Sequence, residues 1–139
     1  MEIVELFREV AESFDWIFDY GRKDFHNLID DGTNGKWHFF LDPVVDDTNS
    51  QFAIYEGYFM VLSIADLDQN YDNQKGTSPE DGKWLQNIKP KKDFLKTKFR
   101  DKLECADLEI LRYRMTEVIN FFDDNMDGVL VNFQIKQFL

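Results

Sequence analysis

The stretch Phe52–Asp68, FAIYEGYFMVLSIADLD, limits what this chain can fold into more than any other. An extended backbone sends successive side chains to opposite faces. One face then carries Phe52, Ile54, Tyr58, Met60, Leu62 and Ile64, and the other Tyr55, Phe59, Val61, Ala65 and Leu67. A strand apolar on both faces belongs inside a sheet covered on each side, by helices of the same chain or by another subunit. Gly57, within this strand, predicts a bulge or a bend.

The segments around it supply partners and cover. Glu2–Asp15 reads as an amphipathic helix, with Ile3, Phe7, Val10 and Phe14 on one face, Val4 and Ala11 alongside, and Glu2, Glu5, Arg8, Glu9 and Glu12 toward water. Trp16–Tyr20 either continues that helix or leaves it extended, and Gly21 ends the segment. A short helix is predicted over Lys23–Ile29 and a turn over Asp30–Gly35. Lys36–Leu41 is the first strand, which pairs antiparallel with Phe52–Asp68 through the polar connection Val44–Gln51, Pro43 interrupting the ladder.

Gln69–Asn87 has no apolar period, and connections of that length often bind or assemble. Trp84 and Leu85 near its end are candidate anchors. Pro90 then opens a helix read from Lys91 to Phe122, with Leu95, Phe99, Leu103, Ala106 and Ile110 in one row and Leu111, Met115, Val118, Ile119 and Phe122 continuing it. Asp123–Gly128 stops the helix, and Val129–Phe138 alternates as a half-buried strand of the same sheet. The expected class is α+β, a single domain over 1–139. It is a small, mostly antiparallel sheet packed with an N-terminal helix and one long helix in the C-terminal half.

No apolar run is long enough to span a membrane, and MEIVELFREV carries acids where a secretory signal carries lysines, so no targeting segment is read. The one cysteine, Cys105, excludes an internal disulfide, fits a reducing intracellular setting, and reads as a small packed side chain in a helix. The net charge of −11 is uneven. Between Lys83 and Lys102 eight bases face two acids, so this window is +6 and the remainder −17. An acidic body repels nucleic acid, whereas a basic stripe attracts it or another acidic surface. A solvated helix face is the plainer explanation of the stripe.

No catalytic or cofactor constellation is visible, and the chain reads as a non-enzyme that takes no cofactor. Asp123-Asp124-Asn125-Met126-Asp127-Gly128 resembles the start of an EF-hand loop, with Asp123, Asn125 and Asp127 as ligands and Gly128 at the tight turn. The twelfth position is Gln134, where that loop needs a bidentate carboxylate, so a polar helix-to-strand connection explains the letters better. His26 and His38, with Cys105, lack the spacing of a zinc site. The pairs Asp30/Asp31 and Asp46/Asp47 sit in turns by composition.

The order of helix, short helix, two strands, long connection, long helix and strand resembles the tail-terminator and tail-completion proteins of tailed bacteriophages. The two-sided strand Phe52–Asp68, the helix Lys91–Phe122 and the closing strand Val129–Phe138 carry this resemblance. It implies a virion protein made in the host cytoplasm, a subunit of a neck ring. Such a ring contacts its own copies and neighbouring connector or tail proteins, with DNA passing through the lumen without specific binding and no membrane partner. On this reading Lys89, Lys91, Lys92, Lys96, Lys98, Arg100 and Lys102, with Trp84 and Leu85, lie at the contact between subunits. Two other readings fit the charge or the acidic loop: an acidic intracellular module of inhibitor or immunity type that masks a basic partner, and a calcium-binding domain.

Overall fold

The computed structural model describes residues 2–21, 36–64, 84–121 and 126–138. The predicted helix Lys23–Ile29, the turn Asp30–Gly35, residues 65–83 and residues 122–125 lie outside the described residues, as does His26.

Helix α1 (Ile3–Ser13) is followed by strands β1 (Ile17–Tyr20), β2 (His38–Leu41), β3 (Val45–Thr48) and β4 (Phe52–Ile64). Helix α2 (84–104) and strands β5 (Leu108–Phe121) and β6 (Met126–Phe138) complete the order. The strands form one sheet in the order β1-β2-β4-β6-β5, with β3 also pairing β4. Every pairing is antiparallel except β1 with β2. The α+β class read from the sequence is therefore the one observed.

The two-sided strand is central. β4 pairs β6 without interruption from Phe52↔Phe138 to Ile64↔Met126 and carries β2 and β3 on its other side. Tyr55, Phe59 and Val61 face the helices, whereas Met60 and Leu62 join Phe40 and Met126 in a second buried cluster on the opposite face. Gly57 introduces no bulge in β4. The irregularity lies in its partner, where Asp42, Pro43 and Val44 stand opposite Gly57 and Tyr58 between the ladders of β2 and β3. Asp42 N–H donates to the Tyr58 carbonyl at 3.0 Å across this step.

α1 stops where its backbone turns left-handed at Asp15, φ 61°. Asp15 N–H donates to the Glu12 carbonyl and Trp16 N–H to the Ala11 carbonyl, the paired bonds of a Schellman ending. Trp16–Tyr20 then leaves the helix as extended chain, which resolves the ambiguity of that run in favour of a strand.

The long helix is shorter than its sequence suggests, and its second half is not helical. α2 ends at Glu104; Asp107 takes φ 59°, and the chain returns as β5, paired with β6 over its length. Residues 108–121 are rich in β-branched and aromatic side chains, which pack well on a pleated surface. Their apolar residues also match a helical period, and the available partner β6 decides the outcome. Two strands, not one, thus follow the helix. Within α2 the buried residues Ile88, Lys91, Leu95, Phe99 and Leu103 recur almost every fourth position. A four-residue spacing overshoots a turn of 3.6, so such a row drifts around an ideal α-helix. The π-type turns Trp84–Ile88 and Leu95–Phe99 are wider and keep the row on the sheet.

Gly128, read as a loop glycine, sits inside β6 opposite Leu62. A Cβ there would lie 1.9 Å from the Val61 carbonyl oxygen, a backbone atom that cannot move aside alone. At Gly57 the nearest atoms would be 3.6 Å away, an ordinary contact. Gly128→Ala is expected to lose at least about 2 kcal/mol of stability, and Gly57→Ala about none. Urea unfolding followed by tryptophan fluorescence measures both.

Candidate assembly surface

The basic residues of the sequence stripe do not share one surface. Lys91 is buried at 1% exposure, in the row that carries Leu95 and Phe99. It belongs to the core and leaves the list of interface candidates. Its Nζ donates to Ser63 Oγ at 2.8 Å and to the Asn87 carbonyl, and stands 5.1 Å from the centre of the Trp37 ring. Asn87 Nδ2 donates to Asp127 Oδ2 at 3.0 Å beside it. Burial pushes the Lys91 ammonium down to about 8, and the charge of Asp127 offsets part of that shift.

The remaining bases of α2, exposed or half-buried, divide into two rows. Lys89, Lys92, Lys96 and Arg100 run down the flank of α2 toward β5. Lys92, Lys96 and Arg100 line a groove of about 470 Å³ with Tyr113 and Met115. Lys98 and Lys102 lie toward α1, beside Phe94 at 5.4 Å and Phe14 at 5.8 Å. Several of these charges are matched within the chain. Lys89 pairs with Asp93 at 2.9 Å, Lys92 with Glu117 at 2.9 Å and Arg100 with Glu104 at 3.1 Å. The hydrogen bond from Lys89 holds the Asp93 carboxyl below its ordinary range, and those from Lys92 and Trp84 do the same for Glu117. Lys96, Lys98 and Lys102 make no salt bridge among the described residues.

Trp84 opens α2, is 39% exposed and donates from Nε1 to Glu117 Oε2 at 3.0 Å, and Leu85 is half-buried beside it. Cys105 is exposed in the turn after α2, not packed inside a helix. His38 is buried on the second face of the sheet, its ring 5.8 Å from that of Phe40. Asp127 and Gly128 lie within β6, with Asp127 fully buried, so these two are not positions of an open calcium loop. No group of His, Cys, Asp or Glu able to hold a metal ion occurs among the described residues.

The acids collect on the other flank. α1 packs over β1 and β2, and its Glu2, Glu5, Glu9 and Glu12 are exposed. β3, read as part of a polar connection, is a strand whose four residues are all exposed, Asp46 and Asp47 among them. Burial raises the Tyr55 hydroxyl pKa, and the nearby charges of Asp46 and Glu2 raise it further. The chain thus carries bases where α2 overhangs β5 and acids on α1 and β3. The sequence showed the contrast but not its geometry. Lys91 was legible in principle, since it stands one turn before Leu95 in the apolar row.

Lys91 gives stability a defined pH dependence. Its folded pKa of about 8 lies below the ordinary 10.5, so between those values the unfolded chain binds the extra proton and stability rises with pH. Below that window both states are protonated and the cost of the buried charge is constant. Burial raises the Tyr113 phenol above its ordinary 10.0, so at higher pH the unfolded chain loses that proton first and stability falls. The Lys91 rise amounts to at most about 3 kcal/mol. Urea midpoints measured from neutral to alkaline pH are expected to show the rise in the parent and not in Lys91→Met, with the Tyr113 fall in both.

No protein-family model matches the chain and no curated protein matches it.

Proposed function

We propose that this chain is a structural subunit of an oligomeric ring of the kind found at the head-to-tail connector or tail terminus of tailed bacteriophages. The observation that carries the reading is the placement of unlike charge on opposite flanks: Lys92, Lys96 and Arg100 over β5, and Glu2, Glu5, Asp46 and Asp47 on the far side. A head-to-tail contact needs two different, complementary patches on each copy, and such contacts close into rings. Exposed apolar side chains accompany both flanks: Leu111, Ile119 and Trp84 on one, Val45 and Tyr20 on the other. The net charge of −11 suits a lumen through which DNA passes without sticking. The phage setting rests on the resemblance in the order of elements, now with two closing strands after α2.

Exposed ion pairs contribute about 0–1 kcal/mol each, so charge here sets orientation while apolar contact supplies adhesion. Light scattering is expected to give a mass several times the 16.6 kDa of one chain, and electron micrographs closed particles. Raising the salt slows assembly more than it loosens finished particles. A monomer or dimer at all accessible concentrations overturns the ring and favours an acidic module that masks a basic partner.

A further inference from the structure

Resting on the ring reading, we infer that neighbouring copies join their sheets edge to edge, the outer side of β5 in one copy receiving β3 of the next. β5 is the last strand on its side of the sheet, and among the described residues nothing pairs with its outer backbone groups. Between the register shifts at Ile110/Arg112 and Val118/Phe121, residues 112–118 form a regular ladder with a free outer edge. β3 pairs only β4, and its other side is likewise open among the described residues. An exposed strand edge is a template for another strand.

Strand direction and charge both select this pairing. β4 runs antiparallel to β3 and to β6, and β6 runs antiparallel to β5, so β3 and β5 have opposite senses. Copies repeated around a ring axis therefore bring β3 beside β5 antiparallel, with the helices on the same side of the joined sheet. Paired residues share a face, so Asp46, opposite Tyr55, lies on the helix side and Asp47, opposite Ile54, on the other. In the neighbour the helix side of the edge carries Lys92, Lys96 and Arg100, while Arg112 and Arg114 occupy the other side through their pairing with Gln134 and Asn132. Each aspartate thus meets bases on its own face.

The test reverses exposed charges in two variants, Asp46→Lys/Asp47→Lys and Lys96→Glu/Arg114→Glu. Neither Lys96 nor Arg114 makes a salt bridge among the described residues, and circular dichroism of each variant checks that the fold is retained. Each variant alone is expected to shift the concentration of half-assembly upward at least tenfold. An equimolar mixture, in which every contact is again complementary, is expected to reassemble. Independently, hydrogen exchange of the parent should slow on assembly at the amides of 45–48 and 112–118. Parent particles with variants that assemble equally well overturn the edge pairing and leave the ring standing. Variants that dissociate without restoring each other, and with no new protection in those spans, also overturn it. A parent that never exceeds a dimer removes the ring itself.

Discussion

Five phenylalanine rings from five different elements hold this fold together: Phe7 of α1, Phe39 of β2, Phe59 of β4, Phe99 of α2 and Phe133 of β6. All five are fully buried. Phe7 contacts each of the others, at ring-centre distances from 5.1 to 6.3 Å, and Phe39 and Phe59 stack at 4.8 Å. Such pairs contribute roughly 0.5–1.5 kcal/mol each beyond the area they bury. Removing one ring costs about 3–5 kcal/mol. Phe59 holds the middle of this cluster because β4 is the middle of the sheet. The two-sided pattern in the sequence records that position.

The cluster also fixes where the charges go. With Phe7 and Phe99 turned inward, α1 and α2 present their opposite sides to water. In α1 that side is mostly glutamate, with Arg8, and in α2 it is mostly lysine and arginine, with Asp93, Asp101 and Glu104 among them. Because α1 lies toward β1 and α2 toward β5, packing two amphipathic helices side by side on one sheet face separates the charges by flank. A monomer needs the inward faces; the separation follows only from which residues fill the outward ones.

Much of this was legible in the letters. The central strand, its division into two faces, the first helix, the closing strand and the β2–β4 pairing all follow from side-chain period. Three features did not. Leu108–Phe121 alternates poorly because Leu111 is an extra residue at a register shift, and its spacing fits a helix as well as a strand. β3 has only four residues, two of them aspartates, and shows no apolar period because neither face is covered. The charge of Lys91 reads as surface, at the contact between subunits, although its spacing places it in the core. In each case a contact distant in the chain outweighed the local preference.

Lys91 shows how tertiary contact overrides charge. A lone buried ammonium is costly, and it persists here because Ser63, the Asn87 carbonyl and the face of Trp37 surround it and Asp127 lies near. Those partners come from β4, α2 itself, the approach to β2 and β6, so the site exists only after the sheet has formed and α2 has docked. Contacts within the chain also sort the surface bases. Lys89, Lys92 and Arg100 find acids within the chain, whereas Lys96, Lys98, Lys102 and Arg114 make no salt bridge among the described residues. Of these, Lys96 and Arg114 flank β5, whose outer edge is open among the described residues, so in the proposed ring it is this edge, not the whole lysine-rich helix, that suits a neighbouring copy.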